Sequence, residues 1–169
     1  STIYIPSYIS EIVPAKVGKI IDVEGEKRTA VGVYEQVYVQ LENSANPGET
    51  LLVYSVGGKI LSFDSEMYLG SPIYLQGEIK IQELTNSEAN IYRAQVVKAI
   101  SPIQIGAYAS KDRLLISDIT DAGPSVDISA NVVGGQFDSA RRHMGLHEVV
   151  YLDKGLSEGL RPGQILSIL

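Results

Sequence analysis

The chain has 169 residues, a formal net charge of −6, a hydrophobic fraction of 44% and no cysteine. That apolar content is enough to bury a core, so a disordered protein is excluded. The acidic balance argues against nucleic acid or anionic lipid as a partner, because both are bound through a basic face. Without cysteine, disulfides, thiolate nucleophiles and cysteine-ligated zinc are excluded. No apolar run reaches the about 18 residues of a transmembrane segment.

Short segments with apolar or alternating residues follow one another along the chain and predict strands. A lead-in arm at residues 1–15, interrupted by Pro6 and Pro14, comes first. Predicted strands then cover residues 16–23, 29–33, 36–41, 49–54, 72–84, 89–100, 127–133, 148–152 and 164–169, with a hairpin loop at 85–88. No amphipathic helical stripe with end caps is present, so the predicted fold class is all-β.

The positions of the turn signals along the chain predict two small barrel- or sandwich-like units. The Gly-Pro turn signal at 121–124 is the best linker, which gives a first β unit at 16–120 and a second at 126–169. Because the last residues have the pattern of a strand, we interpret the second unit as truncated and the chain as a piece of a longer protein.

Two segments of the sequence resemble each other and suggest an internal repeat. In the first, a strand at residues 37–39 leads through a polar turn to Pro47-Gly48 and a second strand. In the other, a strand at 150–152 leads through Gly155 and Gly159 to Pro162-Gly163 and a further apolar run. Glycine tolerates positive φ and proline presets the turn, so we predict structural turns at these six residues.

The second segment carries the most specific motif of the chain. Residues 149–166, VVYLDKGLSEGLRPGQIL, resemble a run in the C-terminal β region of bacterial LysM-containing, peptidoglycan-associated envelope proteins. Residues 17–21 and 36–39 resemble an earlier run of the same proteins, and flagellar outer-membrane ring proteins contain a similar glycine turn. No LysM repeat is visible in this chain, so the resemblance transfers no sugar-binding residue. It implies a periplasmic or outer-membrane-associated location.

The histidines are the first candidates for a metal site. His143 and His147 stand four residues apart and are followed by Glu148. On a helix this spacing would place two imidazoles on one face, as zinc requires. Gly145 disfavours the helix and Glu148 is poorly placed as a third ligand, so we predict two surface histidines and no metal.

Acidic residues offer two further kinds of site, calcium binding and glycoside hydrolysis. Asp112, Asp118, Asp121 and Asp127 flank the predicted linker, and Asp64 and Glu66 form a smaller group. Their order does not match an EF-hand loop, and the sequence singles out no pair of catalytic carboxylates. We therefore predict no catalytic residue and no cofactor, and interpret these groups as solvated loop charges.

Tyrosine is the one chemically suggestive residue type. The ten tyrosines are Tyr4, Tyr8, Tyr34, Tyr38, Tyr54, Tyr68, Tyr74, Tyr92, Tyr108 and Tyr151. Exposed rings could stack on sugars or anchor an interface, whereas half-buried rings in alternating strands would be structural. The second interpretation already explains their positions.

These observations together predict a non-catalytic module of a bacterial envelope protein, accessory to a peptidoglycan-binding LysM part. It would position that part or bind an envelope partner through strand edges or tyrosine patches. The expected partners are peptidoglycan or an envelope protein. The sequence is compatible with both a monomer and an oligomer. The alternatives are a subunit of an envelope or flagellar ring assembly and a wall-acting hydrolase.

Overall fold

The fold is built from short antiparallel strands. A computed structural model describes residues 2–114, 116–118, 126–136 and 143–169. Strand accounts for 47% of the chain and helix for 2%, which confirms the predicted all-β class. Within the described ranges, no helix is long and apolar enough to cross a membrane.

The strands follow the predicted alternation closely in the first half of the chain. They are β1 (Thr2–Tyr4), β2 (Ser7–Ser10), β3 (Lys16–Val23), β4 (Ala30–Val31), β5 (Gln36–Leu41), β6 (Thr50–Val56), β7 (Ile60–Leu61), β8 (Tyr68–Asn86), β9 (Ile91–Ala99), β10 (Ile103–Gln104), β11 (Tyr108–Ser110), β12 (Ile116–Asp118), β13 (Val132–Gly135) and β14 (Val150–Leu152). A 3₁₀ turn, Leu156–Glu158, follows β14.

The chain divides into two compact units, and the first to be described is the barrel unit, Val13–Val56 with Ile73–Leu114. In it β3 pairs with β5, β5 with β9, β9 with β8, β8 with β6, β6 with β11, and β11 with β3. The ring of pairings makes a closed six-strand barrel. A short pair, β4 with β10, is added to it.

The barrel interior is filled by the apolar positions of the alternating strands. In β5, Val37 and Val39 are fully buried while Gln40 between buried neighbours is exposed. The other ring strands add further core residues, among them Ile20, Leu51, Val53, Ile79, Ile81, Tyr92, Ala94, Val96 and Ala109. Each large side chain so buried contributes about 1.5–3 kcal/mol, which makes this unit a packed core.

A glycine marks the tightest point of the ring. Gly77 of β8 stands opposite Val53 of β6 and Ala99 of β9, beside a register shift in the β6–β8 ladder. A Cβ at this position would lie 2.0 Å from the carbonyl oxygen of Lys98. A residue without a side chain is therefore required where the two ladders meet.

The edge unit comprises Ser1–Ile12, Gly57–Pro72 and Leu115–Leu169. Here β1 pairs with β12, β13 pairs with β14, and both β2 and β7 pair with β8. The backbones of β2 and β8 approach each other closely at Gly70. A Cβ on this residue would lie 2.8 Å from the carbonyl oxygen of Ser10 in β2.

Several predicted boundaries differ from the structure. Residues 1–15, predicted as an arm, contain the strands β1 and β2, and the predicted strand at 127–133 is replaced by Val132–Gly135. The predicted strand at 164–169 does not form, because a strand requires a ladder partner and none is placed against it in the described part of the chain.

The structural units also differ in bounds from the predicted ranges 16–120 and 126–169. The edge unit joins three separate stretches of sequence, a pairing of distant segments that local patterns do not reveal. The predicted linker at 121–124 lies outside the described residues.

Candidate functional site

An open surface groove of about 350 Å³ lies in the edge unit and is the candidate binding site in the described part of the chain. Its lining comes from β2 and from the chain around β14: Ser7, Tyr8, Ile9, Val149, Val150, Tyr151, Leu152 and Lys154. The lining mixes apolar and polar surface and contains no carboxylate or imidazole among the described residues. It offers backbone groups, apolar side chains and one ammonium group.

Both strands that line the groove stand at the edge of a sheet. β2 is the terminal strand of its sheet, next to β8, and β14 forms a two-stranded sheet with β13. Within the described residues each strand therefore has a single ladder neighbour. The backbone N–H and C=O groups along the other side of such a strand form a template for a further strand.

A clamp at the end of β14 fixes that strand in register with β13. The backbone N–H of Asn131 donates to Asp153 Oδ1 at 2.8 Å, and its side-chain Nδ2 donates to Oδ2 at 2.8 Å. The backbone N–H of Asp153 returns a bond to the Asn131 carbonyl at 3.1 Å. The hydrogen bonds from the Asn131 side chain and backbone lower the pKa of the Asp153 carboxyl.

The clamp predicts an acid-sensitive contribution to stability. Because the folded-state pKa of Asp153 is lowered, the contribution is complete above the unfolded-state pKa of about 3.9 and is lost as pH falls through the folded value. We expect Asp153→Asn to lower the melting temperature at neutral pH, with the difference closing in strong acid. Thermal melts across the acid range measure this.

Asp127→Asn, at an exposed position of the same unit, is the matched control and should leave the melting temperature unchanged throughout. A difference for Asp153→Asn that persists undiminished in strong acid would contradict a role of the carboxylate charge.

One of the groove residues has a buried hydroxyl without a partner among the described residues. Ser7 is 3% exposed, and its Oγ has no hydrogen-bond partner within the described part of the chain. Leaving a buried hydroxyl unsatisfied costs about 1–3 kcal/mol, and native structures contain few such groups.

The predicted Pro-Gly turns both form, and they share one geometry. In the first, Glu49 N–H donates to the Asn46 carbonyl at 3.1 Å and Gly48 has φ +93°. In the second, Gln164 N–H donates to the Arg161 carbonyl at 3.3 Å and Gly163 has φ +88°. Each turn has proline at its second position and a glycine with positive φ at its third, which is the arrangement of a type II turn.

The likeness of the two turns extends to a side chain. Asn46 N–H donates to Glu49 Oε2 at 2.7 Å, and Arg161 N–H donates to Gln164 Oε1 at 2.8 Å. In each turn the fourth side chain bonds back to the first backbone N–H. The internal resemblance in sequence is therefore matched by a shared local structure at both turns.

The segments that follow the two turns differ in structure. The first turn leads into β6, which pairs with β8 and β11, whereas residues 165–169 after the second turn form no strand. Of the other two predicted turn glycines, Gly159 has φ +103° and closes the 3₁₀ turn, while Gly155 starts it with φ −148°.

The same back-bonding turn occurs at three further positions, and sequence reasoning missed the two that begin at Gly32 and Gly145. Backbone N–H groups of Gly32, Gly145 and Gly155 donate to the carboxylates of Glu35, Glu148 and Glu158 at 2.6, 2.8 and 2.7 Å. A glycine followed three residues later by glutamate is the signal that could have found them. The bond to Arg28 and the bond from Gly32 lower the pKa of Glu35.

The histidines do not come together as metal ligands. His143 and His147 are both exposed, and the residues between them form no helix. Within the described ranges, no three His, Cys, Asp or Glu side chains are close enough to hold a metal ion. Asp121 lies outside those ranges, and Asp112 and Asp127 are exposed.

The tyrosines divide between structural and surface positions. Tyr54 is buried and its hydroxyl donates to the Pro14 carbonyl at 2.8 Å, and buried Tyr92 accepts a bond from Ala45 N–H at 3.1 Å. Tyr34 is 75% exposed. Tyr8 and Tyr151 are the two that line the groove.

Comparison of the chain with protein-family models, curated proteins and solved structures gives no match. The resemblance to LysM-containing envelope proteins stays a prediction.

Proposed function

We propose that this chain is a non-catalytic binding module of a bacterial cell-envelope protein, accessory to a peptidoglycan-binding LysM part. It binds a protein partner by accepting an extended segment in the groove between β2 and β14. The observation that supports this proposal is the groove itself, lined by two edge strands that each have one ladder neighbour in the described structure.

The groove suits an extended, uncharged segment on physical grounds. Strand addition obtains affinity from backbone hydrogen bonds and specificity from pockets for alternate side chains. Each net hydrogen bond contributes about 0.5–1.5 kcal/mol, so edges as short as β2 and β14 support a weak to moderate interaction. Ile9, Val149 and Val150 would contact the apolar side chains of the segment.

A panel of uncharged heptapeptides that alternate isoleucine or valine with serine or threonine tests the groove directly. We expect a member of the panel to bind, with amide hydrogen exchange slowed in β2 and β14 and unchanged in β5. Val150→Glu, which places a charge at a groove position that is 38% exposed, should weaken binding about tenfold or more.

Val126→Glu is the matched control, since Val126 is 40% exposed in the same unit and does not line the groove. Binding by the control should equal that of the parent chain. If no peptide slows exchange in either edge strand, the groove is not a strand-binding site.

Co-sedimentation with purified peptidoglycan sacculi tests the accessory role. We expect the chain to stay in the supernatant at moderate salt, because the wall affinity belongs to the LysM part. Pelleting that resists added salt would instead assign wall binding to this chain, and the exposed Tyr34 would be the first residue to replace.

A further inference from the structure

The hairpin that joins β7 to β8 in the edge unit carries a dense group of exposed apolar side chains. Leu61, Phe63, Met67 and Tyr68 are 48%, 83%, 61% and 39% exposed. These four side chains, which lie within eight consecutive residues, are called the hairpin patch below. Single exposed apolar residues are ordinary on a protein surface, whereas a cluster of them marks an interaction site.

The hairpin is fixed at its base and at its tip. Ile60 of β7 is 5% exposed, and its Cδ1 would lie 3.4 Å from a Cβ on Gly134 of β13, so the base packs inside the edge unit. At the tip, Ser62 N–H donates to the Met67 carbonyl at 2.8 Å, and Ser65 N–H donates to Ser62 Oγ at 3.2 Å. An ordered backbone therefore presents the patch, which reduces the entropy lost when a partner binds.

Glu66 adopts a backbone conformation in this hairpin that disfavours its own residue type. Its φ is +53°, in the left-handed region that glycine and asparagine tolerate better. Residues held in such conformations concentrate at binding sites, where the surrounding structure compensates their strain. Glycine would form the turn without strain but would remove a carboxylate from the edge of the patch.

Two carboxylates determine the chemistry of a partner for the patch. Asp64 follows Phe63 directly, Glu66 precedes Met67, and both acidic side chains are exposed. Neither carboxylate has an ion-pair partner in the described part of the chain. Burial of Phe63 and Met67 in an interface would bring both carboxylates with them, and a buried charge without a partner is costly. A partner that covers the patch must therefore supply Lys or Arg beside its apolar residues.

The same charges disfavour a lipid surface. Anionic headgroups would repel Asp64 and Glu66. Lys59, at the start of the hairpin, lies over the ring of Tyr68, with its Nζ 5.8 Å from the centroid. Insertion of Phe63 into an uncharged bilayer would draw the adjacent carboxylate toward the hydrocarbon, where no cation compensates it. A protein segment meets both the apolar and the charge requirement.

We propose that the hairpin patch binds a basic amphipathic segment of a protein partner. Aliphatic side chains of the segment pack on Phe63 and Met67, and its Lys or Arg side chains pair with Asp64 and Glu66. The hairpin contributes no residue to the lining of the groove between β2 and β14. Binding at the hairpin is therefore independent of strand binding in that groove.

Two amphipathic helical peptides of about 14 residues test the proposal, one built from leucine and lysine and the other from leucine and glutamate. In titration calorimetry with the full chain, we expect the leucine–lysine peptide to bind and the leucine–glutamate peptide not to bind. Phe63→Ser combined with Met67→Ser should weaken binding about tenfold or more, because the apolar contact is lost. Ile12→Ser combined with Leu146→Ser is the matched control, since these residues are 82% and 92% exposed in the same unit and lie outside the hairpin. The control should bind as the parent chain does.

A second pair of variants tests the charge requirement. Asp64→Asn combined with Glu66→Gln should weaken binding of the leucine–lysine peptide about threefold to tenfold and reduce its dependence on salt. Glu26→Gln combined with Glu88→Gln removes the same number of charges from exposed positions outside the hairpin. This control should change the affinity by less than about twofold.

Failure of the leucine–lysine peptide to bind, or equal losses in the hairpin variants and their controls, would overturn the proposal. Binding to phosphatidylcholine vesicles that disappears in Phe63→Ser would assign the patch to a membrane. Concentration-dependent association of the parent chain that disappears in the same variant would assign it to a second copy. Either of these results would also overturn the proposal, and circular dichroism verifies that each variant is folded.

Discussion

Replacement of Gly77 by alanine is expected to destabilise the barrel unit by about 3 kcal/mol, the upper part of the range for overpacked positions. The new Cβ would lie 2.0 Å from the Lys98 carbonyl oxygen and 3.0 Å from its carbonyl carbon. Both are backbone atoms of β9, so no side chain can rotate away. Relief requires separating β8 from β9, and the β8–β9 ladder closes the ring.

Urea unfolding measures the effect as a lower midpoint with an unchanged slope. Gly58→Ala is the matched control, since a Cβ at Gly58 has no heavy atom within 4 Å. Its midpoint should remain within experimental scatter of the parent chain. A Gly77→Ala midpoint equal to that of Gly58→Ala would show that the two ladders are not in close contact at this point.

Replacement of Asn90 by alanine has the second largest expected effect, a loss of about 2–3 kcal/mol. Asn90 follows the predicted hairpin loop with φ +54°, a left-handed conformation that asparagine tolerates better than alanine. Its side-chain Nδ2 also donates to the carbonyls of Leu41 and Asn43 at 2.8 and 3.0 Å. The substitution removes both bonds, each worth about 1 kcal/mol, and adds backbone strain.

Asn90→Gly separates the two causes, because glycine accepts positive φ and still lacks the amide. Denaturant unfolding should place it between the parent chain and Asn90→Ala. Equal losses for the glycine and alanine variants would assign the whole effect to the hydrogen bonds.

The strands that alternate strictly were predictable from sequence. β5 has the predicted bounds because its side chains point alternately to the core and to solvent, and β3 keeps its predicted bounds although a register shift between Ile20 and Asp22 interrupts its alternation. The Pro-Gly turns were predictable for the same local reason, since proline and glycine restrict the backbone of the turn itself. β8 covers residues 68–86 rather than 72–84, because ladders to four different strands extend it.

The groove could not have been predicted. Its two strands are separated by more than a hundred residues, and β2 is a short segment next to Pro6 that resembles a linker by itself. The clamp from Asn131 to Asp153 joins residues 22 positions apart, which no local pattern connects. Such sites arise from the pairing of remote segments, which periodicity and turn chemistry do not specify.

The division of the edge unit into three stretches has a consequence for the order of folding. The barrel segments Val13–Val56 and Ile73–Leu114 separate those stretches in sequence. When β6 pairs with β8, Val56 comes opposite Ile73, and when β11 pairs with β3, Ser110 comes opposite Lys16. Each pairing turns a long loop into a short one and lowers the entropy lost when the edge unit closes. The strand-binding groove should therefore form late, after the barrel, and disappear with it on unfolding.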